Sequence, residues 1–266
     1  MNELFFSRFL SICHSDPRIL AAFLHGSHAR GAADEWSDVD LGIVIADAMY
    51  EDFIAGREAF IRQMGEPLFI EDFDIPGLLF FILADGTEGE ITIDRASDFT
   101  EPYGPWRALV DKNNTLAKAK PRPEPDHAGQ AEILRRQITW FWHDLSHFIT
   151  AMARGQLWWA AGQLEILRRL CVILARLAHD VADADAVDDP YFKLDKALPT
   201  GDLAPLAATF VPLERAAMLA AARRLVDYYR QTARPLAEKH AMRYPFELEG
   251  MMLGRMERLP PSGDAL

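Results

Sequence analysis

The sequence predicts an α+β protein of two domains, the first mixing strands with helices over residues 1–122 and the second an all-helical bundle over 123–266. Three observations predict this. Apolar runs of strand length, each bounded by Gly, Pro or Asp, are confined to the stretch between residues 19 and 113. Beyond residue 129 the apolar side chains recur at helical spacing instead. Between the two regimes, residues 118–129 read Lys-Ala-Lys-Pro-Arg-Pro-Glu-Pro-Asp-His-Ala-Gly, and prolines at alternate positions stiffen and extend a chain.

The elements follow in order. Residues 2–14 carry Phe5, Phe6, Phe9, Leu10 and Cys13 on a helical stripe that Asp16-Pro17 stops. Ile19–Leu24 is a buried strand, and Leu41–Ile45 a second. Residues 47–64 have helical spacing at Met49, Phe53, Ile54, Phe60 and Ile61. Strands follow at 67–70, 78–83 and 90–94, with a last short one and its turn in 106–113. After the linker, Ile138, Trp142, Leu145, Ile149 and Met152 form one helical stripe, and Leu164, Leu167, Cys171, Leu174 and Ala178 another. A connection punctuated by Pro and Gly at 189–205 leads to a third helix over 212–233 and a final one over 245–259.

The chain's 266 residues suffice for two domains of about 120 to 140 residues each. Half of them are hydrophobic and 26% charged, enough to build a core. No apolar run reaches the ~18 residues needed to span a bilayer, and the first ten residues lack a basic leader before an apolar core, so no membrane or secretory role is expected. Cys13 and Cys171 are far apart and have no metal-ligand spacing, which points to a cytoplasmic protein without disulfides. A net charge of −12 with no Lys/Arg block disfavours nucleic acid as the main partner and favours a cationic small molecule.

The chemistry is concentrated in Leu24-His25-Gly26-Ser27-His28-Ala29-Arg30-Gly31 and, a few residues on, Trp36-Ser37-Asp38-Val39-Asp40-Leu41. Glycine lets the backbone turn and approach a ligand closely, and a serine hydroxyl beside backbone N–H groups can hold a phosphate. Two carboxylates at i and i+2 of a strand project to one side about 6 to 7 Å apart, which is costly without a cation between them. Oxygen ligands of this kind suit magnesium. A lone Gly-Ser is an ordinary turn and a lone Asp-x-Asp a solvated surface; the order strand, Gly-Ser, spacer, Asp-x-Asp, strand is what makes the pair specific.

This arrangement resembles the DNA polymerase beta-like nucleotidyltransferase superfamily. The helical second half, with Ala153-Arg154-Gly155 closing one helix and Phe192-Lys193-Leu194-Asp195-Lys196-Ala197-Leu198-Pro199 further on, resembles the aminoglycoside and lincosamide adenylyltransferase branch less specifically. The resemblance implies a mixed sheet with flanking helices in the first domain and a substrate-binding helical bundle in the second. It also implies transfer of a nucleoside monophosphate, AMP from ATP, to a hydroxyl of a small molecule, with release of pyrophosphate. Asp38 and Asp40 would hold Mg²⁺ against the triphosphate, and Gly26 and Ser27 would cradle its outer phosphates. Arg30 would add a cation there or pair with Asp34 or Glu35. The superfamily's third carboxylate falls on Glu88, Glu90 or Asp94. The turn 84–89 before an apolar strand selects Glu90 as the general base, with Asp94 in reserve, although aspartate is commoner at that position. Lys193 would reach a phosphate from the second domain or be solvated.

Other features have plainer readings. Trp140, Trp142, Trp158 and Trp159 could wall a sugar or base, but tryptophans at helical spacing are expected in the core. His143 and His147 stand at i and i+4, with no His-Glu-x-x-His pattern and no third ligand nearby in sequence. His25 and His28 flank the Gly-Ser turn and could touch nucleotide, with packing as the default. Two rival functions stay open: nucleotidylation of a protein partner, as in toxin–antitoxin systems, and a nucleotide-binding module that has lost its chemistry.

Overall fold

The computed structural model describes residues 3–102, 104–122, 127–181, 183 and 185–259. Two units make up the chain, Met1–Glu124 and Pro125–Leu266.

The first unit is a six-stranded mixed sheet with helices. Its strands are β1 (Ile19–Leu24), β2 (Val39–Ile45), β3 (Pro67–Glu71), β4 (Leu78–Leu83), β5 (Glu88–Arg95) and β6 (Arg107–Asp111). They lie in the order β3-β4-β5-β2-β1-β6, and β2 with β5 is the parallel pair; the other neighbours run antiparallel. A parallel pair needs a long crossover. Here everything between Ala46 and Thr87 supplies it, including α3 (Tyr50–Ala55), α4 (Arg57–Met64), β3 and β4.

Strand period decides which side chains meet which face. Val39, Leu41, Ile43 and Ile45 of β2 and Ile91 and Ile93 of β5 share one buried cluster with Phe5, Phe9 and Cys13 of α1 (Glu3–Ser15) and with Phe53, Phe60 and Ile61 of α3 and α4. The alternate residues, Asp40, Gly42 and Val44 on β2 and Glu90, Thr92 and Asp94 on β5, belong to the opposite face. A smaller cluster of Ala21, Phe23, Val44, Phe99 and Leu116 covers part of that face. The Phe23 ring lies over Gly42, where an added Cβ would sit 2.1 Å from it.

The second unit is helical. The long helices α5 (His127–Ala153) and α6 (Leu157–His179) are joined by a tight turn in which Gly155, at φ 67°, takes the left-handed conformation. Gln156 N–H donates to Ala151 O at 2.9 Å and Gly155 N–H to Met152 O at 3.2 Å, which closes the last carbonyls of α5 in a Schellman cap. The short helices α7 (Asp185–Asp188), α8 (Leu194–Ala197) and α9 (Thr200–Ala207) precede α10 (Arg215–Lys239) and α11 (Phe246–Glu257). Tyr229 of α10 is fully buried, stacks on Phe141 at 3.9 Å between centroids, and donates its hydroxyl hydrogen to Ile138 O. Glu249 of α11 accepts from Tyr244 Oη at 2.8 Å and pairs with Arg230 at 3.0 Å and with Arg234. No helix among the described residues is long and apolar enough to cross a membrane.

Several elements differ from the sequence expectation. The helix expected over 47–64 is a 3-10 turn plus α3 and α4, divided at Gly56. The helix expected over 212–233 starts at Arg215 and runs on to Lys239 through Pro235, which has no N–H to return to the preceding turn. The connection at 189–205 holds α8 and the start of α9, each too short to show a hydrophobic period. The expected linker begins later than residue 118: Thr100 bridges Lys120, Glu101 N–H donates to Lys120 O at 3.1 Å, and Arg122 donates to Glu101 O at 3.1 Å, so 118–122 is tied to the first unit. Residues 123–126 of that linker lie outside the described residues.

Because the Phe23 ring fills the space beside Gly42, Gly42→Ala should displace it and cost about 1–3 kcal/mol, the usual penalty for overpacking. Urea unfolding measures this directly, and an unchanged midpoint would show that the ring moves aside freely.

Candidate active site

At the end of β1 the chain makes the turn that the sequence singles out. His25 is extended at φ −129°, and its N–H donates to Asp40 O at 3.1 Å, carrying the β1–β2 pairing one residue past the strand. Gly26 then turns at φ +63° into the short helix α2 (Gly26–Ala29). An ideal Cβ on Gly26 would lie 1.6 Å from Asp40 Oδ2, so the aspartate carboxylate occupies the volume that any other residue's side chain would need.

Ser27 follows with its Oγ enclosed and without a hydrogen-bond partner, as is the Nε2 of His28. An unmet buried hydroxyl costs about 1–3 kcal/mol, and a phosphate oxygen is the acceptor that would relieve it. Burial holds His28 below the ordinary imidazole value, against the opposing pull of Asp40 and Asp38. Arg30 is exposed at the C-terminal end of α2.

Asp38 sits in the loop just before β2 and is exposed, whereas Asp40 is on the strand and half-buried. The parallel register sets Asp40 directly opposite Glu90. Neighbouring strands lie about 4.8 Å apart, so the two side chains emerge side by side on the same face. Burial and then the Asp40 charge, with a smaller push from Asp38, raise the Glu90 carboxyl above its ordinary value, while His25 opposes the rise. Asp94 is opposite Val44 on the same face; burial raises it too, and His25 again opposes. His25 therefore faces both carboxylates, with its Nε2 3.2 Å from Leu41 O and its ring 6.1 Å from that of Phe23.

The structure thus brings Gly26, Ser27, Asp38, Asp40 and Glu90 together in the first unit. Lys193 belongs to the second unit, at the left-handed φ of 51° before α8, with its ammonium 4.1 Å from the Phe192 ring centroid. Of Trp140, Trp142, Trp158 and Trp159, only Trp142 is in the core; the other three are 45%, 83% and 39% exposed in chain order, which departs from core packing. The sequence marks His25 weakly, as a packing residue or a nucleotide contact. Its one signal is its place directly before Gly26, where a strand still has a partner to pair with.

The donor set fits a hard cation. Every candidate ligand is a carboxylate oxygen, and the crowding that raises Glu90 is relieved by positive charge. Among the described residues no group of three or more His, Cys, Asp or Glu side chains closes around a metal position. Magnesium is commonly held by one or two carboxylates together with substrate phosphates and water, so an open pair is compatible with it.

Residues 9–75 match the family described as polymerase beta, nucleotidyltransferase, a segment that contains Gly26, Ser27, Asp38 and Asp40. None of the curated proteins matches the chain. Among solved structures the chain is similar to an aminoglycoside 6-adenyltransferase from Bacillus subtilis, at 15% identity and a TM-score of 0.47, with 98% of this chain and 100% of that one covered.

Two outcomes are expected of this geometry. Gly26→Ala would set a Cβ against the Asp40 carboxylate at a left-handed φ and should lower the melting temperature; an unchanged melting temperature would show that the close approach is dispensable. The unfolded chain gives up the Glu90 proton at lower pH than the folded chain, so stability falls as pH rises from the ordinary carboxylate range through the higher folded value. In magnesium-free buffer Glu90→Gln should therefore melt above the wild type at pH 7, with the advantage vanishing near about pH 4. A lower melting temperature at pH 7 would contradict the raised carboxyl.

Proposed function

We propose that this chain transfers a nucleoside monophosphate, AMP from ATP, to a hydroxyl of a small molecule, and that the acceptor is an aminoglycoside or lincosamide antibiotic. The observation that carries the reading is the pairing of Asp40 with Glu90 on parallel strands, beside a Gly26-Ser27 turn into which the Asp40 carboxylate fits. Burial and the neighbouring Asp40 charge raise the Glu90 carboxyl, which makes it a stronger base than an ordinary carboxylate.

In this reading Asp38 and Asp40 hold magnesium, which when bound neutralises charge on the phosphoryl oxygens. Ser27 Oγ donates to a phosphate oxygen, and Arg30 supplies further positive charge to the triphosphate. The acceptor oxygen forms its bond to the α phosphorus as the bond to the β-phosphate oxygen breaks. Glu90 takes the hydroxyl proton, and pyrophosphate leaves. A chain charge of −12 suits a cationic acceptor, and the exposed Trp140, Trp158 and Trp159 offer apolar surface to a sugar or lincosamide ring. The proposed location is the cytoplasm, where nucleoside triphosphates and reduced thiols such as Cys13 and Cys171 coexist. The proposed division of labour follows the expected domains, nucleotide chemistry on 1–122 and acceptor binding on 123–266.

Incubation with ATP, GTP, CTP and UTP in turn against a panel of aminoglycosides and lincosamides, read by mass spectrometry, should show one acceptor gaining the mass of a nucleoside monophosphate. Asp38→Asn and Asp40→Asn should each abolish that product while leaving the fold intact. More than a few per cent of activity in both variants would sink the metal assignment. A labelled protein band in place of a labelled small molecule would move the reading to protein nucleotidylation.

A further inference from the structure

Asp40 and Glu90 belong to a row of side chains that continues across the sheet. Glu90 stands opposite Phe80 of β4, and Phe80 opposite Glu71 of β3, so one line of cross-strand neighbours runs Asp40, Glu90, Phe80, Glu71. Neighbouring strands lie about 4.8 Å apart, which brings the Phe80 side chain out directly beside Glu90.

The alternation of β4 leaves an apolar patch there. Leu79, Phe81 and Leu83 belong to the helix-covered core, whereas Leu78, Phe80 and Ile82 share the face of Glu90 and are partly exposed. In the next row Ile82 stands between Glu88 and Phe69. The Phe69 ring is 47% exposed and meets Phe80 with centroids 6.1 Å apart and planes at 66°, an edge-to-face contact that orients Phe80. Glu71 is turned back onto its own turn, where its Oε1 accepts from the N–H groups of Asp72 and Phe73 at 3.1 and 3.0 Å. Beyond Glu90, therefore, the face changes from acidic to aromatic.

The role of Glu90 dictates what covers that patch. To take a hydroxyl proton its carboxylate must touch the acceptor. The Asp40 side is given to the cation and the triphosphate, so the acceptor approaches over β4 and meets carbon. A ring with hydroxyls on its rim and C–H groups on its face suits both neighbours, rim to Glu90 and face to Phe80. From this register we infer that Phe80 is an acceptor-binding residue, the platform on which the saturated ring bearing the reacting hydroxyl lies. The inference rests on the transfer reaction proposed above and deepens it by assigning the surface that sets the hydroxyl's distance from Glu90. A fixed aromatic face holds that distance with little freedom, which is what a proton transfer between bound groups requires.

Calorimetry on the full chain tests this, with kanamycin and lincomycin as ring-bearing probes and spermidine as a cation without a ring. Phe80→Ala should weaken the ring probes about tenfold and Phe80→Tyr by less than threefold, with spermidine and Mg-ATP affinities unchanged. Phe80→Leu keeps apolar bulk on the strand and decides the matter if Phe80→Ala fails to fold; it should lose several-fold for the ring probes and nothing for Mg-ATP. The platform is overturned if neither ring probe binds the wild type, or if neither Phe80→Ala nor Phe80→Leu weakens one beyond twofold. It is equally overturned if Mg-ATP weakens in Phe80→Leu, which would give the ring to the nucleobase. Ring probes that need Phe80 but gain no nucleotide from ATP would leave the platform standing and remove the reaction. Product formed at an unchanged acceptor KM in Phe80→Ala would leave the reaction standing and remove the platform.

Discussion

The first unit depends on one close approach, that of the Asp40 carboxylate to the backbone of Gly26. With a Cβ excluded at 1.6 Å, the turn after β1 and the start of β2 can be drawn together only if residue 26 is glycine, and its φ of +63° makes the same demand on its own account. The His25 N–H to Asp40 O bond holds the two segments at that separation. Once Asp40 is fixed, the parallel register of β2 with β5 leaves no freedom in which acidic residue stands beside it. A slip of one residue would turn Glu90 into the helix-covered core and bring Gly89 or Ile91 out.

That placement runs against the stability of the unit. Asp40, Glu90 and Asp94 share one face of the sheet, with burial raising the last two, and Ser27, His28 and Thr87 enclose polar atoms without partners. The other face bears the opposing weight. There Val39, Leu41, Ile43, Ile45, Ile91 and Ile93 pack against three helices, each large side chain contributing roughly 1.5–3 kcal/mol on full burial. The alternation of the strands keeps the two demands apart. Each β2 and β5 residue belongs either to the helix-covered core or to the opposite face, where the carboxylates share the surface with the smaller cluster around Val44.

Much of this could be read from the residue order because it is written in local patterns. The apolar runs ended at Gly, Pro and Asp, and the strands are found at those places; the stripes at 138–152 and 164–178 lie in α5 and α6. A turn followed by an apolar strand points to Glu90 ahead of Glu88 and Asp94, and the register of that strand sets Glu90 opposite Asp40. What pattern could not supply is what depends on partners distant in sequence. Asp38 lies off the strand because the β2–β5 pairing begins at Val39, opposite Gly89. Trp140 and Trp142 are two residues apart on one helix, and which of them is buried is decided by Tyr229, some ninety positions away. Helices of four residues such as α7 and α8 are shorter than the period by which a helix is recognised.

His25 draws these levels together. Its backbone continues the sheet, which is why a polar residue can follow the apolar run of β1 without ending it. Its ring is turned by Leu41 O and Phe23 toward the face where Glu90 and Asp94 emerge, and it is the one group that lowers both of them. The residue that completes the strand therefore also tempers the charge crowding the strand creates. An apolar side chain at position 25 would keep the pairing and lose that counterweight to the burial that raises Glu90 and Asp94.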